Sequence, residues 1–314
     1  MSIELFDLSG FRGKQETTEG TFETLAAADA IRLLDGQGRI QGGKLERNIQ
    51  RPNGGSKPFI GIERRMTVSG MIELVGPTTP GAVLPYSDFA KACGHIETLD
   101  TGPPAITSLQ PTLQGIPSIS MDFFHAGLRY RGAAGRGRFS SLAWAINDYA
   151  KAGIDVLAKV VGYAEEAIPS DSLVSFQVPT PLLEDSLTVN LDGTVVDCVS
   201  LELSDGRNVA LSYGSETTRT FRQGREFSGN LTVWRDDNWA DLITMVETNA
   251  LVPLELLVDD TVDARKQKAT FVEVQLDEPE PVNVDNRAAW RFPITIMPGP
   301  TGNADYVLEF GTST

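Results

Sequence analysis

The sequence predicts a mainly β protein with flanking helices (α+β), built as two tandem β-barrel or sandwich domains of one kind. Three observations predict it. A strand-like run at residues 65–74 recurs at residues 225–234, where Val68, Gly70, Ile72 and Leu74 match Phe227, Gly229, Leu231 and Val233 in phase. Both runs alternate apolar and polar residues with a period of two, which turns one face of a strand toward a core. The chain of 314 residues holds 30 Gly and 18 Pro, enough turn-formers for many short strands, and its length suits two domains of roughly 100–150 residues.

The elements follow in order. Residues 13–21 are polar and turn-rich, and the Ala-rich stretch from Ala26 to Ile31 is too brief for a free-standing helix. A strand is expected around Lys44 to Ile49, then a Gly/Pro/Asn loop from Arg51 to Pro58, then the first copy of the repeated strand. A compact helix from Tyr86 to Cys93 closes this unit. Strands at Ile119 to Phe124 and Leu128 to Gly132 flank a turn at Ala126-Gly127. The Gly-rich stretch from Ala134 to Phe139 reads as a strand edge with solvated arginines. Trp144 to Lys151 reads as partly helical, and Leu157 to Tyr163 as the last strand of the unit.

Three prolines between Ile168 and Pro181 cannot continue a ladder and mark a linker. The domains are therefore drawn at 1–168 and 182–314, joined by 169–181. The second unit repeats the first: a strand at Val199 to Asp205, a long loop from Arg207 to Gly224, the repeated strand, and a helix from Trp239 to Thr248. It closes with strands at Thr270 to Leu276 and Trp290 to Met297, around a solvated acidic turn from Asp277 to Asp285. Both long loops occupy one place in the repeat, and loops of that length tend to carry a function.

Chemistry is sparse. The two histidines, His95 and His125, sit at a helix end and before a turn, where a capping role outweighs catalysis. Cys93 and Cys198 form no CxxC and read as reduced, buried thiols. No nucleophile elbow, phosphate loop or metal-ligand pair is present, and Gly132 to Gly137 lacks the strand-then-helix setting of a dinucleotide site. Asp236-Asp237 begins a helix and reads as its N-cap; Asp259-Asp260 could hold a cation. No catalytic, cofactor or metal residue is expected, and the chain is read as a non-enzyme. The net charge of −15 argues against a nucleic-acid clamp. No apolar run reaches the roughly 18 residues of a membrane span, and the first residues lack the features of a signal peptide, so neither membrane nor export is expected.

The blocks Glu16 to Thr21, Glu46 to Pro52, residues 66–74, Ala92-Cys93-Gly94, Gly127 to Gly135, and Ser200 through Glu216 span most of the chain. Their order resembles the tail tube proteins (major tail proteins) of long-tailed bacteriophages, in their longer, duplicated version. The resemblance implies tail-tube-type β-barrel or sandwich domains that join neighbours into a ring-shaped barrel. Single-domain relatives make rings of six, so a duplicated chain would need three copies. Rings would stack into a hollow tube that conducts DNA into the host. The tube would be assembled in the host cytoplasm and reside in the virion tail. Partners would be further copies of the chain, other tail proteins at the tube ends, and a tape measure protein and DNA passing through the lumen without sequence-specific binding.

On that reading the polar face of the repeated strands lines the bore, with Thr67, Ser69 and Glu73 in one copy and Glu226, Ser228, Asn230 and Thr232 in the other. It would add acidic and hydroxyl groups and little positive charge. Inter-ring contacts are expected from the long loops, through Arg51, Asn53, Gly54, Gly55 and Lys57 and through Arg219 and Arg222. Two other functions are weighed: another virion tail or decoration protein, and a two-domain β-sandwich binding protein. A binder should stay small where a tube subunit polymerises.

Overall fold

The computed structural model describes residues 9–46, 59–170, 173, 175–206, 209–213, 218–222, 226–235, 238–299 and 305–311. It is mainly β, as expected. Strands β1 (Ser9–Gln15), β2 (Leu34–Glu46) and β3 (Phe59–Glu73) precede helix α1 (Ser87–Ala92). Then come β4 (His95–Asp100), β5 (Ile106–Pro111), β6 (Ile119–His125), β7 (Leu128–Ala145) and β8 (Lys151–Glu165). The second half opens with β9 (Leu187–Leu191), β10 (Thr194–Val196) and β11 (Cys198–Asp205). A hairpin of β12 (Val209–Tyr213) and β13 (Thr218–Arg222) leads to β14 (Phe227–Trp234) and helix α2 (Trp239–Glu247). Strands β15 (Leu251–Val258), β16 (Gln267–Leu276), β17 (Glu280–Val284), β18 (Arg287–Met297) and β19 (Tyr306–Phe310) complete it.

One run of antiparallel strands has the order β2-β3-β8-β7-β11-β14-β18-β17. A second has the order β4-β5-β19-β16-β15-β9-β10. The end of β16 also pairs with β18 and joins the two runs, while β6, with β1 beyond it, pairs along the first part of β7. Apolar side chains meet between the runs: Phe227 meets Tyr306 edge-on at 5.2 Å, Trp144 meets Phe271 at 6.2 Å, and Phe139 lies 4.2 Å from His95. One hydrophobic cluster takes Met66 and Ile154 from the first half and Leu231 and Phe292 from the second. The long run does not close: among the described residues β2 pairs only with β3, and β17 only with β18.

The repeat extends well beyond the two matching strands. In the first half β2 pairs with β3, β3 with β8, β8 with β7, β7 with β6, and β6 with β1. In the second half β11 pairs with β14, β14 with β18, β18 with β16 and β17, β16 with β15, and β15 with β9. The end of β16 and β17 together take the place of β7. The two halves then join edge to edge through β7 and β11.

The central glycine of the repeat has a packing reason. A Cβ on Gly229 would lie 1.9 Å from the Glu202 carbonyl oxygen, and one on Gly70 would lie 3.0 Å from the Gly36 Cα. Gly229→Ala must therefore push β11 away from β14, and should cost about 1–3 kcal/mol, the range of overpacked cores. A denaturant titration with an unchanged midpoint would show that the strands yield freely.

Several sequence expectations are corrected. Trp144 to Lys151 is not helical: β7 runs through Ala145, its Trp144 opposite Leu201 of β11, and β8 starts at Lys151 after a turn with Asn147 at φ +65°. Fixed pairing on both sides overrides the helical look of the segment. Within residues 134–139 the arginines are not simply solvated: β8 lies alongside residues 136–139, Arg136 pairs with Glu19 at 2.8 Å and Arg138 with Asp155 at 3.1 Å. Part of the expected turn from Asp277 to Asp285 is strand β17, closed on β18 by Asp285 and Asn286 at φ +48° and +63°. Positive φ at two successive residues suits the twist of a tight hairpin. The expected loop from Arg207 to Gly224 contains the hairpin of β12 and β13, which lies against β7 and β8. Strand β2 begins at Leu34, ten residues before the expected start.

Candidate assembly surface

Strand alternation on β3 sends Met66, Val68 and Ile72 into the core and leaves Thr67, Ser69 and Met71 on the opposite face. On β14, Phe227, Leu231 and Val233 are buried, while Glu226 and Ser228 are exposed and Asn230 is half-buried. The repeat thus presents a polar face twice, with β8, β7 and β11 between the two copies.

Two of the expected residues depart from this. Glu73 is buried at 3% exposure, because Arg32 from the preceding connection folds over it at 3.3 Å. Thr232, flanked in register by Ser200 and Arg291, is buried at 6%. Neither offers an exposed polar group in the single chain.

The expected scarcity of positive charge is also corrected. Register carries the polar face sideways, so that Gln41 lies opposite Arg65 and Arg65 opposite Lys159, while Arg39 lies opposite Thr67. Ser69 lies opposite Asp155, and Asp155 opposite Arg138. The polar face of the first half therefore carries Arg39, Arg65, Lys159 and Arg138. In the second half the same face carries Glu202 opposite Asn230, Glu226 at the start of its strand, and one cation, Arg291, opposite Thr232. Arg65 could have been found from the sequence, since it stands in phase with Thr67. Arg138 could not, because the shift in register between Ala133 and Arg136, with Ala134 at φ +53°, hides the alternation of β7.

Of the expected inter-ring residues, Arg51, Asn53, Gly54, Gly55 and Lys57 lie outside the described residues, as does the Asp236-Asp237 pair. Arg219 and Arg222 are on β13, opposite Ser212 and Val209.

Several titratable and nucleophilic groups take part in packing and capping. His95, 3% exposed, places Nδ1 3.1 Å from the Ala90 carbonyl at the end of α1 and Nε2 2.7 Å from the Tyr306 hydroxyl. One nitrogen caps the helix and the other ties the first half to β19. Both cysteines are free and buried, and burial, with Asp197 nearby, pushes the Cys198 thiol up to about 12. Asp260 accepts from the Thr180 hydroxyl at 2.7 Å and the Val262 amide at 2.8 Å, so one oxygen is taken up by a distant segment and the other by its own turn. Among the described residues no three His, Cys, Asp or Glu side chains gather as metal ligands. No family model matches the sequence, and no curated protein is similar to it. The function must be read from the geometry.

Proposed function

We propose that the chain is a structural subunit of a bacteriophage tail tube, with three copies closing a ring and rings stacking around a bore that passes DNA. The observation that carries this reading is the pair of open edges on a sheet that has already repeated itself once. Strands β2-β3-β8-β7 are followed by β11-β14-β18-β17 in the same pairing order, and β7 meets β11 at the joint. The same joint made between copies, β17 to β2, would pair both ends of this run, and closure is how sheets remove unpaired backbone groups. Each half would act as one tail-tube-type domain, giving six similar domains per ring. The polar face would line the bore, and the tape measure protein and DNA would run past it.

Negative-stain images of concentrated protein, with native mass of dissociated rings, test this. Rings of three chains with sixfold-like outlines are expected; rings of six chains, or a monomer at every concentration, overturn it. A binding protein is the second reading. It is favoured by a cavity of about 730 Å³ near the turns of the second half, lined among others by Trp234, Val195 and Arg287. That reading requires a chain that stays small in gel filtration.

A further inference from the structure

We infer that the polar face of the first half holds a binding site for a singly charged phosphate group, of the kind found in a nucleic-acid backbone. A cavity of about 310 Å³ opens on this face between β2, β3, β8 and β7, with Val209 at the start of β12 on one side. That volume is at the lower end of small-ligand sites, roughly 300–1,000 Å³. Two guanidinium groups, Arg65 and Arg138, line it together with Thr67 and Asp155.

The two arginines are held in place. Arg65 donates from Nε to Gln41 Oε1 at 2.9 Å, which orients its plane and leaves the outer edge of an exposed guanidinium toward the opening. Arg138 donates to Asp155 Oδ2 at 3.1 Å and to the Asp205 carbonyl at 2.7 Å. Among the residues that line the cavity, two guanidinium groups stand against the one carboxylate of Asp155, a lining of net positive charge in a chain of net charge −15. That suits a monoanion, and the planar donor edge of arginine matches phosphate oxygens. A cation is disfavoured by this lining. The repeat does not reproduce the site at the corresponding place: it sets Glu226 at the position of Thr67 and, through β18, Thr295 at that of Asp155.

The site does not depend on the tube reading, and it is measured on the dissociated chain, so ring formation and phosphate binding can fail separately. A short fluorescein-labelled oligo-dT is titrated at low salt, with inorganic phosphate as competitor. One saturable site per chain is expected. Arg65→Gln, and Thr67→Glu copied from the second half, should each weaken it about tenfold or more, as loss of a hydrogen bond to a charged group does. Arg65 is exposed and Thr67 half-buried on the polar face, and unchanged thermal melts confirm that the variants fold. Competition by inorganic phosphate would mean that free phosphate is also accepted; binding without competition would single out the phosphodiester chain. No binding at low salt, or equal affinity in wild type and either variant, overturns the site.

Discussion

Replacing Glu16 with alanine should be the most damaging single substitution in the first half. The Glu16 carboxylate is 6% exposed and accepts four hydrogen bonds: from the Ser118 hydroxyl at 2.5 Å, the Gly20 amide at 2.7 Å, the Ala134 amide at 2.8 Å and the Ser120 hydroxyl at 3.0 Å. Ala134 stands in the left-handed region where the pairing of β7 with β8 shifts register, so the carboxylate receives an amide that the irregular ladder does not pair there. It fastens the turn at residues 16–20 to β6 and β7 at once. Alanine removes the acceptor and leaves neutral donors behind, two of them backbone amides, and each buried donor left unsatisfied costs about 1–3 kcal/mol. Glutamine should recover only part, because its amide N–H would face donors. Urea unfolding of both variants checks this: the midpoint falls with an unchanged slope if only stability is affected. A loss below about 1 kcal/mol, the net worth of one ordinary hydrogen bond, would show that water or rearrangement serves these donors.

That role could not be read from the sequence, where Glu16 was one letter in an ordered series of blocks. The repeated strands were legible because their burial is one-sided and regular: Val68 and Phe227 face the core, and Ser69 and Ser228 do not. The two helices were legible within a residue or two for the same reason. What escaped were features made by partners distant in the chain. The middle of β7 shifts register beside β8, and Trp144 is held by Leu201 rather than by its own neighbours. Glu73 obeys the alternation of β3 yet is covered by Arg32. Replacing it with lysine would break a buried ion pair as well as change surface charge, which makes Glu226 the cleaner position for altering the charge of the polar face.

In the proposed tube the charge on that face would not act as one uniform acidic wall. Arg39, Arg65, Lys159 and Arg138 on the first half stand beside Glu202 and Glu226 on the second. In the proposed ring of three chains the wall would alternate between cationic and acidic strips. Charges separated by more than about 8 Å are largely screened at physiological salt, so a passing phosphate would sense the nearest strip and not the net charge of the chain. Weak, evenly spaced contacts let a polyanion slide where a continuous basic wall would hold it.

Cysteines placed at Leu34 and Glu280 should join copies of the chain into covalent circles of three. The expectation comes from carrying the internal joint over to the outer edges. Lys151 lies between Glu73 and Ala143, and Ala143 lies opposite Glu202 across the joint of β7 with β11. By the repeat, Arg291 corresponds to Lys151 and Glu280 to Ala143, since Arg291 lies opposite both Thr232 and Glu280. On the other edge Leu34 corresponds to Glu202, because Leu34 lies opposite Met71 as Glu202 lies opposite Asn230. Glu280 of one copy therefore falls opposite Leu34 of the next. Opposed Cα atoms of antiparallel strands are about 4.5–5.5 Å apart, within the usual disulfide range of about 4.4–6.8 Å. The native cysteines, Cys93 and Cys198, are buried and should not interfere. After mild oxidation, a denaturing gel should show linked dimers and trimers and then stop, with each single variant remaining monomeric. A ladder that continues to six chains would mean a ring of six, and no linkage in assembled tubes would mean that β17 and β2 do not meet.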